Sequence, residues 1–481
     1  MRQPAMPGNG TAAGQPAMTT RTEHDLLGDR EVPADAYWGV HTLRAVENFP
    51  ISGVRIGQYP SLIAALADIK HAAALANGEL GLLDARRVEA IARACGEIRG
   101  GALHDQFVVD VIQGGAGTST NMNANEVIAN RALELLGHAR GDYVHLHPNE
   151  HVNLGQSTND VYPTALKLAA WSDAQALLAA MADLRDAFAA KRDAFAGILK
   201  VGRTQLQDAV PMTLGQEFGT YAVMMEEDRL RLREAMAFLR EINLGATAIG
   251  TGINAHPRYA ALVCRKLSTL TGVELLTAPD LIESTQDCGV FVHLSGALKR
   301  IAVKLGKTCN DLRLLSSGPR AGLGEINLPP CQSGSSIMPG KINPVIPEVV
   351  NQIAFEVIGN DLTVTLAAQA GQLQLNAFEP ILAASLFRSL SHLRHGCETL
   401  TRNCVAGITA NAAHLRGQVD RSIGIATALN PYIGYVAATE VAVEAQLTGA
   451  SVGQIVLARG LLSPGELEAI LRPEKLAHPH A

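Results

Sequence analysis

Residues 164–198 read TALKLAAWSDAQALLAAMADLRDAFAAKRDAFAGI. Leu177, Met181, Leu184, Phe188, Phe195 and Ile198 recur there at alternating four- and three-residue steps, interrupted only by Lys191, while Asp183, Arg185, Asp186 and Arg192 take other faces. That spacing predicts a helical seam, entered after Pro163, of about 30 residues or ~45 Å at 1.5 Å per residue. Comparable Ala/Leu-rich faces run through roughly 212–243, 290–316, 347–371 and 379–404. Five helices of this length cannot hide in one small domain, so their apolar faces predict a rod-like bundle closed against copies of itself.

Outward from the bundle, the 481 residues suit about three domains. We divide them into a disordered tail (1–20), an N-terminal domain (21–158), a central helical domain (159–413) and a small C-terminal cap (414–481). Hydrophobic residues make up 47% and charged residues 18%, which supports a large core and excludes wholesale disorder. Only 4% are aromatic and period-2 alternation is scarce, so helices should dominate. The formal charge of −6 offers no basic excess for nucleic acid. No uncharged run approaches the roughly 18 apolar residues of a membrane span. The seven cysteines are scattered, with no C-x-x-C pair, as in a reducing, cytoplasmic compartment. The first twenty residues lack the apolar core of a signal peptide.

Four stretches interrupt the helical grammar. GGAGTSTNMNANE at 114–126 sets Thr118, Ser119, Thr120 and Asn121 at the start of a helix ending near Gly137, a place suited to an anion or to ordinary capping. NLGQSTNDVYPTA at 153–165 gathers Ser157, Thr158, Asn159 and Asp160 before Pro163, with a cap as the plain alternative. VGRTQLQDAVPMT at 201–213 places Thr204 and Gln205 between two helical runs, where a polar turn would serve as well. CQSGSSIMPGKINPVIPE at 331–348 holds Gly334, Ser335, Ser336, Lys341 and Asn343 in a flexible loop ahead of a helix that Pro347 can open. A lysine among apolar residues there is poorly explained as surface decoration.

With these residues in hand, the chain resembles the fumarase/aspartase superfamily. GSSIMPGKINP matches its signature loop, and DLLGDREVPADAYWGVHTLRAVENF at 25–49, NLGQSTND at 153–160, GRTQLQDAVPMTLGQEF at 202–218 and AFEP at 377–380 are most similar to the branch that eliminates ammonia from L-aspartate. The resemblance implies a mainly α-helical, three-domain subunit. Its five central helices would join those of three other subunits in a 20-helix homotetramer core, with each active site shared between three subunits.

It further implies reversible anti-elimination giving fumarate through an aci-carboxylate, with the small-molecule substrate as partner. Ser335 would be the base, its alkoxide favoured by backbone N–H groups of the Gly334–Ser336 turn and by Lys341. Thr118, Ser157, Thr158 and Ser336 would bind the carboxylate that becomes doubly charged. Thr204, Lys341 and Asn343 would hold the other carboxylate, and Asn159, with Thr118, would lie near the departing amine. Gln205 stands where the fumarase pattern has histidine. An amide cannot relay a proton to a hydroxide leaving group, whereas ammonium departs with its own protons. Fumarate hydratase is the alternative enzyme, and a catalytically silent structural protein on this scaffold, as in lens crystallins, the alternative class.

No cofactor is required by this reading, and Mg2+ activation is left open. The fifteen histidines form no H-x-x-x-H pair with supporting acids, so no built-in metal site is expected. His147 matches a secondary carboxylate site of fumarases, but within HPNEH it reads more simply as a surface turn. Glu348 matches the carboxylate that partners the fumarase histidine, and here it can simply orient its helix. Cys331, four residues before Ser335, reads as a bystander.

Overall fold

The computed structural model describes residues 19–477. Except for Thr19 and Thr20, the expected disordered tail lies outside the described residues, and Thr20 opens a strand. Helices dominate, as expected, and the chain forms two compact units. The first comprises residues up to Ala169 with Arg240–Cys288 and Ala367–Ala384; the second comprises Ala170–Leu239, Gly289–Leu366 and the chain from Ser385 onward.

The five long helices are Thr158–Ala194, Leu214–Ala237, Gly289–Leu315, Val345–Gln369 and Glu379–Asn403. Leu177, Met181, Leu184 and Phe188 are fully buried, so the four/three spacing did mark the inward face. The ends differ from the expectation. The first helix stops at Ala194, and Phe195 and Ile198 belong to the turn beyond it. Phe195 stays buried by meeting Phe218 edge-on at 5.3 Å between ring centres, and Lys191 sends its Nζ 2.8 Å to the carbonyl of Ile408.

The helix also begins before Pro163 instead of after it. A proline there removes the N–H that would bond the Asn159 carbonyl. Asn243 supplies the substitute, its Nδ2 lying 3.0 Å from that oxygen.

The segment 201–213, expected as a polar turn, lies in an antiparallel hairpin, Leu199–Thr204 against Gln207–Thr213. Leu199 and Val201 face a core shared with Val419, Leu429, Val441 and Ile455. On the same strand, buried Lys200 reaches Glu217 at 2.5 Å and Glu325 at 2.6 Å, and Arg203 also pairs with Glu325. Removing one member of so buried a charge cluster would leave the others uncompensated, which fixes the hairpin in place.

In the first unit, helix Val40–Asn48 has no capping side chain of its own. Glu126, fully buried, accepts instead from the N–H groups of Gly39, His41 and Thr42 and from the Thr42 hydroxyl. Burial pushes the Glu126 carboxyl up to about 7 despite these donors. Among the described residues, no single helix is long and apolar enough to cross a membrane.

Candidate active site

In the first unit two helix N-termini meet. Helix Thr118–Leu135 begins at Gly117, whose φ of +89° glycine tolerates freely; a Cβ there would lie 2.4 Å from the Tyr162 ring. Helix Thr158–Ala194 begins at Thr158. Asn121, in the first turn of the former, donates from Nδ2 to the Thr158 hydroxyl oxygen at 3.1 Å and so ties the two positive helix ends together. Thr158 is thus an acceptor on the protein side, leaving its proton to donate elsewhere. Ser157 is arranged alike, its Oγ accepting from the Asn159 N–H at 3.2 Å. The Thr118 hydroxyl is exposed and donates inward to the Gly115 carbonyl at 2.7 Å, so it must rotate to serve an anion. Asn159 is anchored by Nδ2 on the Ala248 carbonyl at 2.7 Å.

Asp160 is structural. One oxygen accepts from the Ser157 N–H, the other from the N–H groups of Gly245 and Thr247, and burial pushes its carboxyl up to about 6.

Behind these residues lies a set that sequence reading missed. Lys70, fully buried, donates to Asn153 Oδ1 at 2.8 Å and Gln156 Oε1 at 2.9 Å, and Asn121 and Asn125 donate to the same Asn153 oxygen. Burial lowers the Lys70 ammonium to about 7. The sequence carried one usable signal: three asparagines at 121, 123 and 125 in a helix, a residue type that costs helix propensity unless its amide is used.

In the second unit, Ser335, Ser336, Lys341 and Asn343 share one loop. Its neck is closed by the Gly334 N–H on the Lys341 carbonyl (2.8 Å) and by Asn343 Nδ2 on the Gly334 carbonyl (2.8 Å). A Cβ at Gly334 would lie 2.6 Å from the Lys341 carbonyl oxygen, so only glycine fits. The Ser335 hydroxyl oxygen accepts from the N–H groups of Ile337 at 3.1 Å and Met338 at 2.9 Å. The sequence reading placed such donors in the Gly334–Ser336 turn. They come from downstream because a serine oxygen reaches N–H groups two and three residues ahead of it. Lys341 and Asn343, with Arg313, Ser317 and Asn327, line a cleft of about 500 Å³.

Thr204 and Gln205 are exposed at the hairpin tip, where Thr204 pairs with Gln207. Gln205 and Leu206 form the two-residue turn with φ of +54° and +62°, a conformation usually given to Asn-Gly.

His147 Nδ1 accepts from the N–H groups of Asn149 and Glu150, the capping role of a surface turn. Glu348 lies in the first turn of its helix, its N–H bonded to the Pro344 carbonyl. Cys331 is the exposed member of seven free cysteines. Among the described residues, one group could hold a metal ion: His138, Asp142 and His145. Its H-x₃-D-x₂-H spacing lies outside the H-x-x-x-H pattern looked for in the sequence.

A lyase family profile matches residues 28–359, and a profile of the fumarase C C-terminus matches 425–478. An aspartate ammonia-lyase of Pseudomonas fluorescens is 58% identical over 464 residues, covering 96% of this chain and 97% of its own. One from Escherichia coli (strain K12) is 54% identical over 460 residues, covering 95% and 96%. The crystal structure of a fumarate lyase:delta crystallin from Brucella melitensis bound to cobalt aligns with a TM-score of 0.94 at 54% identity, covering 96% of this chain and 100% of that one. A class II fumarase from Schistosoma mansoni gives 0.91 at 32% identity, covering 96% and 100%.

Proposed function

The chain belongs to the fumarase/aspartase superfamily, and on that premise we propose that it catalyses the reversible elimination of ammonia from L-aspartate to give fumarate. It is a carbon–nitrogen lyase. Removing a proton beside a carboxylate places two negative charges on one carboxyl group, and such a dianion forms only where donors are already aimed at it. The tied helix ends at Thr118 and Thr158, and the Ser157 and Thr158 hydroxyls, which accept from the protein and keep a proton to donate, support assigning that carboxylate to them, with Ser336. Lys341, Asn343 and Thr204 take the other carboxylate, the lysine as point charge and the amide as orienting group. Asn159 and Thr118 face the amine, and Gln205 leaves it to depart as NH3 carrying its own protons.

The observation that carries the proposal is the pair of N–H groups on the Ser335 oxygen. A serine hydroxyl is too weak an acid to serve as base unless its anion is stabilised, and two fixed donors supply that stabilisation before substrate arrives. With Lys341 in the same loop, Ser335 takes the proton and substrate carboxylates meet donors from three subunits of a homotetramer. This mechanism requires no cofactor, and Mg2+ activation is not part of it.

Two measurements test this. Purified enzyme should release fumarate, followed in the ultraviolet, from L-aspartate far faster than from L-malate; the reverse preference would make it a hydratase. Ser335→Ala should lower kcat by roughly 10²–10⁴-fold with little change in KM. Near-normal kcat in that variant would mean another group is the base.

A further inference from the structure

His138, Asp142 and His145 lie on the loop that follows helix Thr118–Leu135. We propose that they form a binding site for a divalent transition cation of the zinc or cobalt type. This proposal does not depend on which reaction the enzyme performs.

His138 Nδ1 lies 3.9 Å and His145 Nε2 3.7 Å from the same oxygen, Asp142 Oδ2. These are too long for hydrogen bonds. All three ligand atoms lie within 4.8 Å of one another; two ligands on one tetrahedral zinc, each about 2.0–2.1 Å from it, stand roughly 3.3–3.4 Å apart, so side-chain rotations that move these atoms by about an ångström would bring the three onto one ion. The imidazoles are stacked, with ring centres 3.8 Å apart and planes 12° from parallel. Ring-nitrogen lone pairs lie in the ring planes, so the two rings must turn out of this stack to converge on one ion.

The loop is also held in shape. Gly137 and Gly141, at φ +86° and +83°, turn the chain on either side of His138–Arg140. Fully buried Asn130 accepts the Gly141 N–H at 2.7 Å and donates to the Tyr143 hydroxyl at 3.1 Å. Arg87 Nε binds the His145 carbonyl at 2.8 Å, and the next residue, Leu146, is fully buried. A site whose backbone is fixed in this way loses little entropy on binding.

Donor chemistry sets the selectivity. Two imidazole nitrogens and one carboxylate suit zinc, cobalt or nickel, whereas Mg2+ demands an oxygen octahedron and sheds its waters reluctantly. The partial exposure of all three side chains leaves further coordination positions for water.

The test uses the full-length chain, without a histidine tag and stripped with chelator. Equilibrium dialysis against Co2+ should load one ion per chain at micromolar free metal, with visible d–d absorption, and millimolar Mg2+ should not displace it. His138→Gln and His145→Gln should each weaken loading by at least about tenfold. Asp142→Asn provides a third variant, and circular dichroism and solution mass show that each remains folded. Loading that is unchanged in the histidine variants overturns the site, as does failure of the unaltered chain to bind Co2+ or Zn2+ below millimolar concentrations.

Discussion

Glu379 opens a helix with its carboxyl buried. Burial pushes that carboxyl from the ordinary 4.5 up to about 8, and the charge of buried Lys167 opposes only part of the rise. Burial thus favours the neutral acid near pH 7. A carboxyl whose pKa is raised by folding contributes stability that is complete below the unfolded pKa and lost as pH climbs through the folded one. Wild-type stability should accordingly fall relative to Glu379→Gln between about pH 4.5 and 8, by a few kcal/mol, and run parallel above pH 8. Melting curves of both proteins from pH 5 to 9 would show a growing difference in Tm, and a constant one would mean that Glu379 is ionised throughout. The AFEP match marked this residue, yet its neutral state was not legible, because that depends on what packs around it. Lys70 was less legible still. A lone lysine in an Ala/Leu helix reads as surface, and only the Asn153 and Gln156 side-chain oxygens brought to it by folding make its burial tolerable.

Among elements, the long helices were readable because a 3.6-residue period survives any context. The 290–316 expectation met Gly289–Leu315, and 379–404 met Glu379–Asn403. The hairpin at Leu199–Thr213 escaped because its turn is Gln205–Leu206 and its inward residues are shared with buried lysine and glutamate partners that sequence spacing cannot reveal. Pro163 misled in the same way: its cost to a helix is local, but the Asn243 amide that offsets it is 80 residues downstream in sequence. That pairing predicts coupling. Asn243→Ala should lower Tm by stranding the Asn159 carbonyl, a loss of about 1–3 kcal/mol. Pro163→Ala restores an N–H in the helix and should recover part of that loss when added to Asn243→Ala. Strictly additive melting temperatures across the four proteins would show that the amide does not substitute for the missing bond.

For the whole molecule, the decisive surface is one the subunit leaves uncovered. On helix Val345–Gln369, Phe355 is 66% exposed, Ile358 39%, Leu362 61% and Leu366 57%. Steps of three, four and four residues place them on one stripe. A solvent-facing stripe of large apolar residues at that spacing, in helices long enough to form a bundle, is expected to close against copies of the chain. If the substrate site draws on three subunits, assembly and turnover must fail together. Phe355→Lys combined with Leu362→Lys should therefore shift the mass in solution from the proposed homotetramer toward monomer. It should remove L-aspartate turnover, while circular dichroism retains the helical signal. A monomeric variant with undiminished kcat would refute the shared site, because each chain would then hold a complete one of its own.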